Sequence, residues 1–341
     1  MSVTAAILGC AGPTLTRAEA AFFADVRPWG FILFARNIET PDQVRALTRA
    51  LRAAVDRGDA PILIDQEGGR VQRLRPPHWR RYPSARALGG LAVNDPLHRR
   101  EIVRLCGRLI AHDLIEVGIT VDCAPVLDTP TAAGHAVIGD RAFAQDAEEV
   151  ARLGRALAEG LIAGGVLPVI KHIPGHGRAG GDSHHLCPIV EAELNELTAS
   201  DFAPFRVLSD MPMAMTAHVI YASVDRERPA TVSQRVIRRV IRGAIGFEGL
   251  LMSDDLSMKA LQGGMRPRAE AARAAGCDIV LHGNGDMAEM RAVALGAGSL
   301  RGRAKMRAAA ALARVARSPE PFDRAEANAR LHAAFDGQCA A

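Results

Sequence analysis

The stretch Leu167-Pro168-Val169-Ile170-Lys171-His172-Ile173-Pro174-Gly175-His176-Gly177 decides the architecture. Its first four residues form an apolar run without alternation, the pattern of a strand covered on both faces. The run stops at a cation and an imidazole. Pro174 and the glycines after it disfavour a helix. The reading is a buried strand, Leu167–Ile170, that feeds a loop through Gly180-Gly181-Asp182-Ser183-His184-His185.

The same pattern recurs outward from this stretch. Apolar runs stand at Gly30–Phe34, Pro61–Ile64, Gly118–Val121, Met213–Ala217, Leu250–Met252 and Asp278–Leu281, with Ala5–Leu8 as an eighth candidate. Amphipathic segments such as Pro41–Val55, His98–Val117 and Glu148–Ala163 lie between them. Strand-then-helix repetition builds βαβ units and a parallel sheet. The polar residues at the run ends select among parallel sheets. Asp65, Asp122, Lys171 with His172, His218, Asp254 and His282 each stand where a run gives way to a loop. Polar groups at the C-terminal ends of many strands converge on one mouth when the sheet closes. The expected fold is an α/β (β/α)8 TIM-type barrel over residues 1–300. Residues 301–341 are expected to form a C-terminal helical extension of the same domain, beginning with the basic, Ala-rich run Arg301–Arg317 as a solvated helix face.

Composition narrows the classes of function. The chain has 341 residues, 48% hydrophobic and 23% charged, with a formal net charge of +4. That mild charge makes no case for nucleic acid or membrane as a partner. The six cysteines, Cys10, Cys106, Cys123, Cys187, Cys277 and Cys339, have no CxxC spacing and read as reduced thiols of a cytosolic protein. Ile7-Leu8-Gly9-Cys10 resembles a lipoprotein cleavage site, but no basic segment and no long apolar run precedes it, so no secretory leader is expected.

Three constellations carry chemistry. The Lys171–His185 loop joins a lysine, four histidines and Asp182. So dense a set of titratable groups in one loop points to a site. A metal site is a competing reading of the same histidines. Against it, no H-E-x-x-H pattern is present, and Lys171 would set a positive charge beside the ion. Leu250-Leu251-Met252-Ser253-Asp254-Asp255 ends a strand in two acids, one expected in the mouth and Asp255 available to cap the next helix. Asp65-Gln66-Glu67-Gly68-Gly69-Arg70-Val71-Gln72-Arg73 pairs a strand-end carboxylate with arginines, which suits a polyhydroxylated ligand. Arg141, in Ile138-Gly139-Asp140-Arg141, offers one more cation. There is no P-loop and no G-x-S-x-G elbow, and the one G-x-G-x-x-G, at Gly175, lacks the strand-turn-helix context of a dinucleotide site.

Taken in this order, the three constellations resemble the signature of family 3 glycoside hydrolases over about Gly30 to Asp278. Within that family the chain is similar to the cytoplasmic β-N-acetylhexosaminidases of bacterial cell-wall recycling, the NagZ type. The resemblance implies Asp254 as nucleophile, His184 as general acid/base and Asp182 as its partner. It implies Asp65, Arg73, Arg141, Lys171 and His172 as the residues that hold N-acetylglucosamine. Around Arg141 this chain has Asp140 and Ala142, where glutamate and serine are usual in the family. The implied enzyme needs no cofactor and no metal. It works as a cytoplasmic monomer on small amino-sugar muropeptides. A phosphorylase using the same site, a metal-dependent hydrolase and a non-catalytic sugar-binding protein are the alternatives.

Overall fold

The computed structural model describes residues 2–92, 95–131, 137–183, 186–315 and 319–335. Eight parallel strands close into a barrel: β1 (Thr4–Leu8), β2 (Pro28–Leu33), β3 (Ile62–Ile64), β4 (Val121–Asp122), β5 (Leu167–Ile173), β6 (Met213–Thr216), β7 (Leu250–Asp255) and β8 (Ile279–His282). Each pairs with its sequence neighbour, and β8 pairs with β1 through Ala6↔Val280 and Ile7↔Leu281.

The unbroken apolar runs have a simple cause. Successive side chains point to opposite faces of a strand. Ala5 and Ile7 of β1 join Trp29, Leu63, Val121, Val169, Met213 and Met252 inside the barrel. Ala6 and Leu8 face outward onto the surrounding helices with Phe31, Ile62, Ile170 and Val280. Both faces are covered, so neither can be polar.

The helices start where their caps dictate. Thr16 and Glu19 form a capping box for Arg17–Val26. Thr40 caps Pro41–Ala54, which has proline in its first turn, and Asp146 caps Ala147–Ala163. Pro96–Glu116 and Ala147–Ala163 pack on each other beside β4 and β5. The basic run forms the helix Gly302–Ala313, with Arg301, Arg303 and Lys305 exposed. Its apolar side, Ala308 and Ala311, closes on Leu300 and the inner barrel cluster. Arg324–Ala334 packs on Pro96–Glu116. Arg317 lies outside the described residues. No helix among the described residues is long and apolar enough to cross a membrane.

Two strands run further than the sequence suggests. β5 continues to Ile173, so Lys171 and His172 belong to the strand and not to the loop. Its register against β6 shifts between Lys171 and Ile173, an irregularity that the apolar pattern does not announce. β7 continues through both acids to Asp255. The next helix, Met265–Ala275, begins ten residues later behind Gly264, so Asp255 is not its cap.

Candidate active site

A cavity of about 310 Å³ opens at the C-terminal mouth of the barrel. Asp65, Arg73, Arg141, Lys171, His172 and Asp254, six of the eight expected site residues, line it. Asp182 does not line it, although its neighbour Ser183 does. His184 lies outside the described residues.

One wall is built from β3 and its hairpin. Asp65 follows Ile64, and the antiparallel pair Gln66–Gly68 and Val71–Gln72 turns the chain back. Gly68 and Gly69 take φ of 93° and 55°, the left-handed region that a glycine pair enters without penalty. Gln66 is fully buried and staples the hairpin: its Oε1 accepts from the backbone N–H of Arg73 and Leu74 at 2.9 and 3.0 Å. The result brings Arg73 to 3.2 Å from Asp65.

Charge on this wall is compensated pair by pair. Lys171, 2% exposed, donates to Asp65 at 2.8 Å and lies 2.7 Å from Glu67. Arg141 reaches Glu67 with two parallel bonds of 2.8 Å from Nε and a terminal nitrogen. Burial alone would favour neutral carboxyls. The cations outweigh it: Lys171 and Arg73 hold Asp65 well below the usual range, and Arg141 and Lys171 hold Glu67 at about 2. Burial likewise disfavours the Lys171 ammonium, but Asp65 and Glu67 raise its pKa overall.

The facing wall belongs to β7. Between Met252↔Ile279 and Asp255↔Leu281 the strand holds one residue more than β8. Such a bulge re-aims a side chain. The hydroxyl of Ser253 takes the Leu281 N–H at 2.9 Å, and Asp254 faces the cavity. Burial works against an ionised Asp254, but His218, His172, the Asp255 N–H at 2.7 Å and Lys171 together lower its pKa. A half-buried carboxylate is thus kept charged at the mouth. Asp255 instead organises the turn, accepting from Ser257 N–H at 2.8 Å and Gly283 N–H at 3.2 Å.

His218 stands behind this wall with no exposure. Its Nε2 lies 3.0 Å from the Asp255 carbonyl and its Nδ1 2.7 Å from the Thr231 hydroxyl. Burial lowers its pKa, so the ring is neutral near pH 7. A carbonyl only accepts, which puts a proton on Nε2.

Several of these participants are not evident from the sequence. Asp128 is fully buried and accepts from the backbone N–H of His172 at 3.2 Å and of His176 at 2.7 Å, with His172 Nδ1 at 2.7 Å. His172 and His176 overcome its burial and hold its carboxyl at about 2. Its only signal is the apolar run Ala124–Leu127, which passes Asp122 and ends at Asp128. His176 also lines the cavity. Its Nε2 lies 3.2 Å from the Ser183 hydroxyl, and burial lowers its pKa to about 4. Glu67, present in a quoted constellation but not expected to act, is the hub of the lysine and arginine contacts.

Besides His218, two further strand-end residues do not line the cavity. Asp122 is fully buried, accepts from Gln66 N–H at 3.0 Å, and is pushed well above the usual carboxylate range by burial. It sits between Val121 and Cys123, which point into the barrel, so its side chain points to the outer face beside Ile64. His282 is also fully buried, 3.4 Å from Glu289. Among the described residues no group of three or more His, Cys, Asp or Glu is arranged to hold a metal ion.

Fold and mouth together define a barrel enzyme with an ionised carboxylate facing a wall of paired charges suited to a hydroxylated ligand. Comparison with known proteins gives the family: the Glycosyl hydrolase family 3 N terminal domain matches residues 11–317, and the chain belongs to it. A beta-hexosaminidase of Bordetella parapertussis is 42% identical over 277 residues, 80% of this chain and 77% of that protein. One from Pseudomonas aeruginosa is 41% identical over 278 residues, 81% of each. Native NagZ from Neisseria gonorrhoeae superposes with a TM-score of 0.77 at 35% identity, covering 92% of this chain and 97% of that one. A family 3 beta-N-acetylglucosaminidase from a Paenibacillus strain superposes with a TM-score of 0.87 at 29% identity, covering 98% and 67%.

Proposed function

We propose that the protein is a retaining exo-β-N-acetylglucosaminidase. Its substrates are cell-wall muropeptides, N-acetylglucosamine on 1,6-anhydro-N-acetylmuramic acid with or without peptide, met as a monomer in the cytoplasm. The curated relatives are named beta-hexosaminidases, and the gonococcal NagZ has been solved with N-trifluoroacetyl-D-glucosamine. The observation that carries the reading is Asp254: a carboxylate at the cavity wall whose pKa stays below the ordinary value despite burial, with the Asp255 N–H donating to it.

The chemistry follows in two steps. Asp254 attacks the anomeric carbon while His184 protonates the leaving oxygen, and a glycosyl ester forms on Asp254. Water, deprotonated by His184, then opens that ester with net retention. Asp182 orients the imidazole and stabilises its charged form. A histidine needs little tuning for this task, since its ordinary pKa of about 6.5 lies near neutral pH. Two neighbouring carboxylates would instead require one pKa to be pushed up. Asp65, Arg73, Arg141, Lys171 and His172 hold the sugar hydroxyls, and each cation among them already has a carboxylate partner in Asp65 or Glu67.

The stereochemical course tests this. Hydrolysis of an aryl N-acetyl-β-glucosaminide, followed by proton NMR, is expected to release the β-anomer first. Release of the α-anomer, or of a sugar-1-phosphate in phosphate buffer, contradicts it.

A further inference from the structure

The buried carboxylate of Asp128 takes no part in the two steps above, yet three donors converge on it. It has no exposure, and its position on the loop after β4 sets it behind the sugar-facing wall. Its Oδ1 accepts the backbone N–H of His172 at 3.2 Å and of His176 at 2.7 Å. Its Oδ2 lies 2.7 Å from His172 Nδ1. On the far side of the same ring, an Arg141 terminal nitrogen lies 3.5 Å from Nε2. A guanidinium only donates and a carboxylate only accepts. Two neighbours of opposite sense therefore demand the same arrangement of the imidazole: the proton on Nδ1 and a bare lone pair on Nε2.

We infer that Asp128 is a positioning residue that sets the His172 tautomer and so decides what the wall offers a sugar hydroxyl. With Nδ1 protonated, Nε2 is an acceptor in the cavity. The Arg141 contact is long enough to leave that lone pair to a hydroxyl donor. Lys171 and Arg73 are donors, so a hydroxyl placed among them needs an acceptor to receive its own proton. Asp65 supplies one acceptor and His172 supplies the second.

The same carboxylate roots the loop that leaves β5. Gly175 N–H donates to the His172 carbonyl at 2.8 Å, and the backbone of His176 hangs from Asp128. A Cβ on Gly177 would come within 2.1 Å of the Thr129 carbonyl oxygen, so the loop lies directly against the segment that bears Asp128. Sugar-holding wall and loop root thus share one anchor.

This inference rests on the proposed N-acetylglucosaminidase reading for what the acceptor is for, but the tautomer itself is measured without turnover. Long-range proton–nitrogen NMR on [15N]histidine protein reports which ring nitrogen carries the proton, and the His172 signal is identified by its loss in His172→Gln. The expected result is protonated Nδ1 and bare Nε2. In Asp128→Asn the amide keeps one oxygen for the backbone N–H groups but turns a donor toward Nδ1, so the proton is expected to move to Nε2. On the aryl N-acetyl-β-glucosaminide, kcat/KM then falls at least about tenfold, mostly through KM. In the double variant with His172→Gln, Asp128→Asn is expected to cost far less than it does alone. A proton on Nε2 in the unsubstituted protein overturns the inference whether or not the variant folds. So does a folded Asp128→Asn with unchanged tautomer and unchanged kcat/KM. Failure of the proposed function has a different signature: no turnover in the unsubstituted protein, with the tautomer as described.

Discussion

At its N-terminal end the barrel is filled by Ala5, Trp29, Leu167, Met213 and Leu250 and covered by Leu300, Ala308 and Ala311. At its C-terminal end Asp65, Arg73, Arg141, Lys171, His172 and Asp254 surround a cavity. The same eight strands supply both ends. The lower end gains from removing apolar surface from water. The upper end must hold charges out of bulk water, which is favourable only if each finds a partner. This barrel therefore separates stability from chemistry along one axis, though not perfectly. Lys171 is both a wall of the cavity and the counter-charge of two carboxylates, the buried Glu67 and the half-buried Asp65.

That contrast can be broken in measurable ways. Asp254→Ala should lower kcat for the aryl N-acetyl-β-glucosaminide by a factor of about a thousand or more, the scale of losing a nucleophile. Its melting temperature should barely change. Turnover near that of the unsubstituted protein would remove Asp254 from the chemistry. Lys171→Met should behave as no purely functional residue does. It leaves Asp65 and Glu67 without their shared cation, a loss of about 3–5 kcal/mol of stability by the behaviour of broken buried pairs. Urea denaturation reads that figure, and a cost below 1 kcal/mol would show that the two carboxylates do not need the lysine.

Leu167→Ala lies at the other end of the same strand as Lys171. It should cost roughly 2–5 kcal/mol as a large-to-small core change, with kcat per folded molecule preserved. A large drop in kcat would show that the two ends are mechanically coupled. The pH dependence comes next. His176 has a folded pKa of about 4 against an ordinary 6.5, because burial disfavours its charge. The unfolded chain then binds more protons between those values, so stability is full above about pH 6.5 and is lost as pH falls toward 4. Glu67, lowered from 4.5 to about 2, adds a loss in the same direction below pH 4.5. Thermal melts across that range should be less steep in His176→Gln, and an identical slope would contradict the assignment. The smallest effect belongs to Arg303→Ala on the exposed face of the helix Gly302–Ala313, expected to stay within about 0.5 kcal/mol.

Much of this was legible before any coordinates. The unbroken apolar runs marked all eight strands, and the polar residues at their ends marked the mouth. What could not be read was facing. Asp122 and Asp128 both lie in one largely apolar stretch, and residue type does not say which turns away from the cavity and which stands beside it. Val121 and Cys123 point into the barrel, so Asp122 between them points to its outer face. His282 misled for the same reason. The register shifts in β5 and β7 were equally invisible, because one extra residue in an apolar run changes no composition. Glu67 stands in the Asp65–Arg73 stretch, but nothing in that stretch marks its part. Its role emerges only when Arg141, 74 residues away, is brought onto it.

The central claim is that Asp254 forms the covalent bond to the sugar. Its most direct test is trapping with a slow mechanism-based N-acetylglucosamine inhibitor, followed by proteolysis and mass spectrometry. The account predicts a single glycosyl adduct on the peptide that contains Asp254. An adduct on another residue, or turnover of the inhibitor through no covalent species, would contradict it.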